Sequence, residues 1–537
     1  MTRVNEMIEL TFEGVEPAGS HVAVNVKAVF TKGDFSKEVL GFYAGNGTYK
    51  VRFLAEEAGR YTYQVSGLVS GQGTIDVEEA DEKHHGIVRP DGTKLRHADG
   101  TYITTFGTTV YALAHQTDEL TEETFKSLEC GAFNKIRICL FPKHYAYNKN
   151  DHRYFPFYYD ENGQNIEFTD NLGEKRSVKP IDTNHPCFEF WDEFEGKLNR
   201  LFDMGIQVDL ILFHPYDRWG HSYMSQEANL TYLDFAIRRL AAFPNIWWSM
   251  ANEYDLFFNW KIEQWHEVDE FIGKNDPYGH MLSNHNCFPL YDFERDAITH
   301  VSIQNRAMNR VKELQAKYNK PVCYDECAYE GNLKETWGSI SAKEMVNRFW
   351  KVTVTGGFCT HGEVLLDDDI ETSEQQDNAV LWWAKGGKLK GQSPERIKFL
   401  REVVESLPGP IEGDVVGLGR MLAMSDQERE MSLKYTPESM RGFIETIGRM
   451  DASEILYHII PSFEYAGHCG ENVFIFYLGT DCCARYMPQL PQGKTFTIEV
   501  VDAWNMTRSQ TATGVKMGDE IRLPGHEYIA VIATAEN

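Results

Sequence analysis

Between residue 8 and about residue 80, apolar and polar positions alternate in short runs broken by Gly, Asn and Asp. Val22–Phe30, Thr48–Phe53 and Gly59–Val65 are examples. A period of two marks strands with one buried face, and several such runs at close spacing predict a β-sandwich. Glu78–His85 is polar and charged and reads as a linker. From about 89 to 410 the texture changes to apolar runs: Thr101–Gly107, Phe133–Leu140, Gln207–Phe213, Ile246–Met250, His280–Ser283, His300–Ile303, Pro321–Tyr324 and Gly357–Thr360. Amphipathic stretches lie between them, including Phe188–Met204, Asn229–Phe243, Ile262–Gly273, Met308–Tyr318 and Ala342–Thr353. Eight strand–helix alternations predict an α/β fold, a (β/α)8 TIM barrel. A doubly wound sheet fits less well, since no glycine-rich phosphate loop opens the first unit. Beyond 411 the runs Val473–Leu478, Thr495–Val501 and Tyr528–Thr534 predict strands again. The expected organisation is therefore an N-terminal β-sandwich (1–88), a catalytic barrel (89–410) and a C-terminal β-sandwich-like domain (411–537).

The 537-residue length accommodates a barrel with two attachments. Lys and Arg number 53 against 80 Asp and Glu, a formal net charge of −27. A surface of that sign repels phosphate backbones and anionic lipid, which argues against nucleic-acid and membrane partners. It also disfavours polyuronate substrates. The ten cysteines are scattered, several inside apolar runs such as Ile138–Leu140, which is the usage of a reducing compartment. Met1–Glu6 opens no apolar secretory core, and no run approaches the length of a membrane span. The expected location is cytoplasmic.

Chemistry concentrates at two strand ends. Ile246–Met250 runs on through Ala251 into Asn252-Glu253, by count the fourth barrel strand, and Pro321–Tyr324 runs on through Asp325 into Glu326, the seventh. Barrel enzymes keep their chemistry at the C-terminal rim of the strands, so two strands deliver two carboxylates to one rim. Two carboxyls about 5 Å apart can serve as nucleophile and acid/base on a glycosidic bond, whereas about 6.5–9.5 Å leaves room for a water and implies inversion. The sequence leaves that gap open.

Asn-Glu closing strand four and Glu closing strand seven resemble clan A retaining glycoside hydrolases. The three-part organisation is similar to bacterial proteins in which a cellulase-like or apiosidase-like barrel lies between two accessory β-domains. The resemblance implies Glu253 as acid/base and Glu326 as nucleophile, with Asn252 contacting the sugar 2-hydroxyl. It matches Arg137 on strand two to the arginine beneath the nucleophile, where a cation would keep Glu326 ionised while a drier setting holds Glu253 protonated. One departure stands out. Many relatives carry an aromatic hydroxyl after strand six, and here Ser302–Asn305 offers Gln304 as the substitute substrate contact.

Further rim positions are His214, His285, His361 and Glu363, each of which could equally be hydrogen-bonded scaffold. Trp219, Trp337 and Trp382 could stack on a sugar face or pack in the core. Glu330 is the nearest rival to Glu326 but lies past the strand end. The segment from Tyr145 to Pro186, rich in Tyr, Asp and Asn, is expected as a long loop that walls a pocket. Cys323 and Cys327 lack the second pair of a zinc site, His84-His85 is isolated, and Gly417–Leu422 lacks the last glycine of a dinucleotide loop. No cofactor is implied.

The reading is a retaining O-glycoside hydrolase, exo-acting on a small neutral plant-derived oligosaccharide or glycoside. A transglycosylase could use the same two glutamates. The alternative from another class is an inactive carbohydrate-binding or scaffolding relative, which would face no chemical demand to keep Glu253, Glu326, Asn252 and Arg137 together. Exposed sheet edges on the accessory domains are compatible with a homo-oligomer.

Overall fold

A computed structural model describes residues 2–149, 151–368, 370, 372–414, 427, 430, 433–434, 437–454 and 465–536. The Gly417–Leu422 stretch lies outside them. Eight parallel strands form the central sheet: β1 (Phe106–Thr109), β2 (Lys135–Cys139), β3 (Gln207–Phe213), β4 (Ile246–Ala251), β5 (Leu282–Ser283), β6 (Val301–Gln304), β7 (Val322–Glu326) and β8 (Phe358–His361). Ladder pairing runs unbroken from β5 through β4, β3, β2, β1, β8 and β7 to β6. The seam between β5 and β6 is closed by single bonds, including Thr299 N to Leu282 O (2.8 Å) and Ser283 Oγ to His300 O (2.6 Å). The chain thus makes a TIM barrel.

Helices α1 (Asp118–Leu128), α2 (Phe188–Asp203), α3 (Gln226–Leu240), α4 (Ile262–Asn275), α5 (Val311–Tyr318), α6 (Ala342–Val354) and α7 (Ser393–Glu405) surround the strands. Their starts are locally encoded. Thr117, Ser225 and Ser341 accept the amide three residues on, satisfying donors that a first helical turn leaves free. In α2 the residues Phe190, Trp191, Phe194, Leu198 and Leu201 share one buried stripe.

The first strand begins later than its apolar run. Thr101–Thr104 is held at the barrel floor by a hairpin, Val88–Asp91 with Lys94–His97, to which Ile103 N donates at Leu95 O (3.1 Å). Val88, Leu95 and Ile103 pack on Trp247, Met281, Cys323 and Phe358, and so plug the bottom of the barrel. The segment 145–186 is also more ordered than a loop. It forms two antiparallel ladders, Phe157–Tyr159 with Ile181–Pro186 and Ile166–Thr169 with Lys175–Val178. The ring of Phe157 packs on Trp191 and Tyr232 rather than facing a sugar.

Upstream of the barrel, a five-stranded and a three-stranded sheet face each other across Phe30 and Phe53, whose rings stack at 4.1 Å. Arg52 leaves this sandwich for the barrel: its Nη1 donates to Glu195 Oε1 (2.6 Å) on α2 and to the Arg239 carbonyl (2.6 Å) on α3. Downstream, a six-stranded antiparallel sheet runs from Glu412–Asp414 to Thr507–Val515, with its own core around Phe496, Ile498 and Val531.

Candidate active site

The barrel interior is polar along the strands that feed the site. Residues alternate in and out with a period of two, and on β2 this turns both Lys135 and Arg137 inward. Lys135 Nζ contacts Asp325 Oδ1 (2.7 Å) and Asp209 Oδ2 (3.0 Å), and Asp325 also accepts from Ser302 Oγ (2.6 Å). Against the desolvation of burial, Lys135 and Arg137 hold the Asp325 carboxyl well below the usual range. Arg137 Nη1 donates to the Asp325 carbonyl (3.2 Å) and stands 3.5 Å from Glu326 Oε1.

Glu326, the last residue of β7, also receives a short hydrogen bond from the Tyr111 hydroxyl. That hydroxyl lies 2.8 Å from Asn252 Oδ1. Burial and the Glu326 charge push the Tyr111 phenol well up, so it remains a proton donor. Across the rim, Glu253 follows β4 with a left-handed backbone (φ 58°, ψ 59°), a conformation that costs a non-glycine residue about 1–3 kcal/mol. The following turn is pinned by Tyr254 N donating to the His285 carbonyl (2.9 Å). Glu253 Oε2 accepts from Asn252 Nδ2 (3.0 Å) and, in a short bond, from the Tyr216 hydroxyl.

Gln304 lies between the two carboxyls. With its amide nitrogen turned toward them, the orientation assigned from the carboxylate oxygens around it, it donates to Glu326 Oε2 (2.9 Å) and Glu253 Oε1 (3.0 Å). One atom within reach of both oxygens bounds their separation at about 6 Å. Burial first, and the neighbouring Glu326 second, raise the Glu253 pKa to about 7, with Lys143 opposing. One of two facing carboxyls therefore keeps its proton near neutrality, the split that acid and base roles require.

The two glutamates open into a cavity of about 540 Å³. Gln304 and Trp337 line it, while Asn252 and Arg137 contact the carboxyls from beneath. The other expected contacts are withdrawn from it. His214 is fully buried with Nε2 on the Phe141 carbonyl (3.1 Å), and His285 is buried behind the Glu253 amide. Nδ1 of His361 meets Thr108 Oγ1 (3.1 Å), to which Trp382 Nε1 also donates (2.8 Å). Glu363 accepts the amides of Lys390 and Gly391 (both 2.7 Å) and so holds a loop, not a ligand. Trp219 packs edge-on against His144 and His152. His214, His285, His361 and Glu363, at or just past strand ends, each find a backbone or side-chain partner away from the opening.

Other side chains stand around the opening in their place. Tyr111, Lys143, Tyr145, Tyr216, Tyr329 and Trp383 line the cavity on the barrel side, and Leu256, Cys287 and Phe288 border it beside Glu253. Tyr111 and Tyr216 each lie two or three residues past a strand end, a rim signal as good as that of His214. Among the described residues, two buried clusters have the spacing of cation ligands, and neither is free to serve. Glu330 and Glu363 are taken up by the amides of residues 390–393, and Asp325 of the His300–Cys323–Asp325 group is already paired with Lys135. A second cavity of about 540 Å³ sits among the strand N-termini, near Asn134, Gln207 and Asn245, away from both glutamates.

Residues 89–409, more than half of the chain, match the apiosidase-like catalytic domain family. A candidate glycoside hydrolase from Bacteroides vulgatus ATCC 8482 is 30% identical over 100% of this chain and 99% of its own, with a TM-score of 0.81. The chain belongs to the apiosidase-like glycoside hydrolases. Segments 2–67 and 463–534 of this glycosidase match two domains of unknown function, DUF5060 and DUF5605. A glycoside hydrolase family 5 structure from the same Bacteroides strain shares the fold at 12% identity. It has a TM-score of 0.55 and covers 84% of this chain and 94% of its own. A further glycoside hydrolase aligns at 13% identity over 84% of this chain and 97% of its own, with a TM-score of 0.56. No curated protein matches the sequence.

Proposed function

We propose that this glycosidase works with retention, Glu326 as nucleophile and Glu253 as acid/base, on a small uncharged glycoside from which it releases a terminal sugar. The carrying observation is the Gln304 bridge: one oxygen of each carboxyl within about 6 Å of the other is closer than the roughly 6.5–9.5 Å gap that inversion keeps for a water, which favours retention. Glu326 attacks the anomeric carbon while the C–O bond to the leaving group breaks, and the Glu253 proton passes to the departing oxygen. Glu253, now a carboxylate, takes a proton from water as that water displaces Glu326 from the ester. Exo-action is supported by the wall that Tyr145, Trp337 and Trp383 build by mutual ring contacts, which makes the opening a pocket.

Hydrolysis of an aryl-glycoside panel, pyranosides and furanosides of both anomers, tests the assignment. Wild type should release aryl alcohol from a small subset. Glu326→Ala should be inactive and recover on addition of azide, giving a glycosyl azide of inverted configuration. Equal release by wild type and Glu326→Ala would overturn the nucleophile assignment.

A further inference from the structure

Lys143, four residues past β2, is among the described residues the one lysine lining the cavity that holds Glu253 and Glu326. Its residue is 4% exposed, and its ammonium lies 3.5 Å from the ring centre of Tyr111 and 4.3 Å from that of Tyr216. Those are the two tyrosines that donate to Glu326 and Glu253 respectively. Trp383 and Tyr145 add faces at 5.5 Å each. Aromatic faces attract a cation but accept none of its N–H bonds in the way an oxygen does. Among the described residues, Nζ has neither a hydrogen-bond acceptor nor an ion-pair partner. A desolvated ammonium with unspent donors is costly, and the space it faces is where a substrate must sit. Burial lowers its pKa, opposed by the charges of Glu253 and Glu326.

Charge counting narrows what that substrate offers. The buried cations here are Lys135, Arg137 and Lys143, and the buried carboxylates facing them are Asp209, Asp325 and Glu326. With Glu253 holding its proton, the two sets balance. A sugar carboxylate could pair with Lys143, but it would set four buried negative charges against three buried cations. Arg306, the other cation at the opening, is exposed and hydrogen-bonds Thr336 (3.2 Å). Sugar hydroxyls supply the missing acceptors without disturbing the balance.

We infer that Lys143 is a substrate-contact residue that selects the glycone, its ammonium donating to hydroxyls of an uncharged sugar seated between Glu253 and Glu326. The inference rests on the glycosidase reading of the cavity and adds a specificity determinant to it.

The test compares wild type, Lys143→Met and Lys143→Arg on 4-nitrophenyl glycosides of neutral sugars and of uronic acids. For the sugar that wild type prefers, the 2-, 3-, 4- and 6-deoxy forms are added where that sugar has the hydroxyl. Wild type should accept neutral glycosides and reject uronides. Lys143→Met should lose about 10- to 100-fold in kcat/KM on the preferred neutral glycoside, the size of a lost charged hydrogen bond. One deoxy form should be a poor substrate for wild type yet no worse than its parent for Lys143→Met, since enzyme and sugar would each have lost the same bond. Uronide turnover by wild type, a kcat/KM unchanged in Lys143→Met, or deoxy penalties identical in the two proteins would each overturn the inference. The deoxy series on wild type and Lys143→Arg keeps the test open if the methionine variant does not fold. Activity persisting in Glu326→Ala would remove the two-glutamate mechanism while leaving the Lys143 comparison intact.

Discussion

At the scale of single residues, the Glu253 carboxyl has to hold a proton in a dry site beside a second carboxyl. With its pKa raised to about 7, the acid form is lost as pH rises through neutrality, so kcat/KM should fall on the alkaline side with a midpoint near 7. Lys143 opposes that rise, and Lys143→Met should move the alkaline limb to higher pH; a limb left in place would contradict the electrostatic account. Tyr111→Phe removes the donor shared by Glu326 and Asn252 and should lower kcat/KM about 10- to 100-fold, with the melting temperature changed by only a few degrees. Loss of folding instead of rate would show the hydroxyl to be structural. The two glutamates, Asn252 and Arg137 were legible because each sits at or inside a strand whose apolar pattern gives its direction. Tyr111, Lys143 and Tyr216 were not, because residues two to four past a strand end are placed by turns that no periodicity reports. The histidines turned out to be scaffold for the converse reason: a strand-end imidazole has two ring nitrogens, and a carbonyl (at His214), a backbone amide (at His285) or a hydroxyl (at His361) holds one of them away from the cavity.

At the scale of elements, Glu330 and Glu363 form a latch. They accept the amides that open α7 and those of the preceding loop, which continues back to the wall tryptophan Trp383. Burial first, and Glu330 after it, raise the Glu363 pKa to about 7. A carboxyl whose folded pKa is raised contributes stability that is full below its unfolded pKa of 4.5 and is lost as pH rises through about 7. For a shift of this size the loss is of the order of 3 kcal/mol. Glu363→Gln should flatten the dependence of unfolding free energy on pH between about 4.5 and 7, and an unchanged slope would exclude Glu363 as its source. The long elements could be read directly: Gln207–Phe213 is a strand from end to end as its mostly apolar run predicted, and α2, α4 and α6 start where their stripes start. Helices α1 and α7 escaped because their buried faces are short and their sequences largely charged. The hairpins within 145–186 escaped because their strands are three to six residues long and half exposed.

At the scale of the molecule, the sandwich is fastened to the barrel by buried charge. Glu195 on α2 takes both Arg52 from the sandwich and Arg239 from α3. Glu195→Ala would take from two buried guanidiniums their one buried carboxylate partner, leaving Glu9 and Asp192 at the surface, and should cost about 3–5 kcal/mol, read as a lower urea midpoint. A midpoint within error of wild type would mean that water or Glu9 satisfies Arg52 unaided. The division into β-rich ends and an alternating middle was visible in the sequence because a strand period of two and a helix stripe of 3.6 are long-range patterns. The contact between sandwich and barrel was not, since one arginine among alternating strand residues looks like any solvated charge.

The central claim is retention by Glu253 and Glu326, and proton NMR of the first sugar released from a cleaved aryl glycoside tests it most directly. The account predicts that the anomeric signal of the first-formed product has the configuration of the substrate, with the other anomer growing in only at the rate of mutarotation. A first-formed product of opposite configuration would mean that water, not Glu326, attacks the anomeric carbon, and the two-step mechanism would fall.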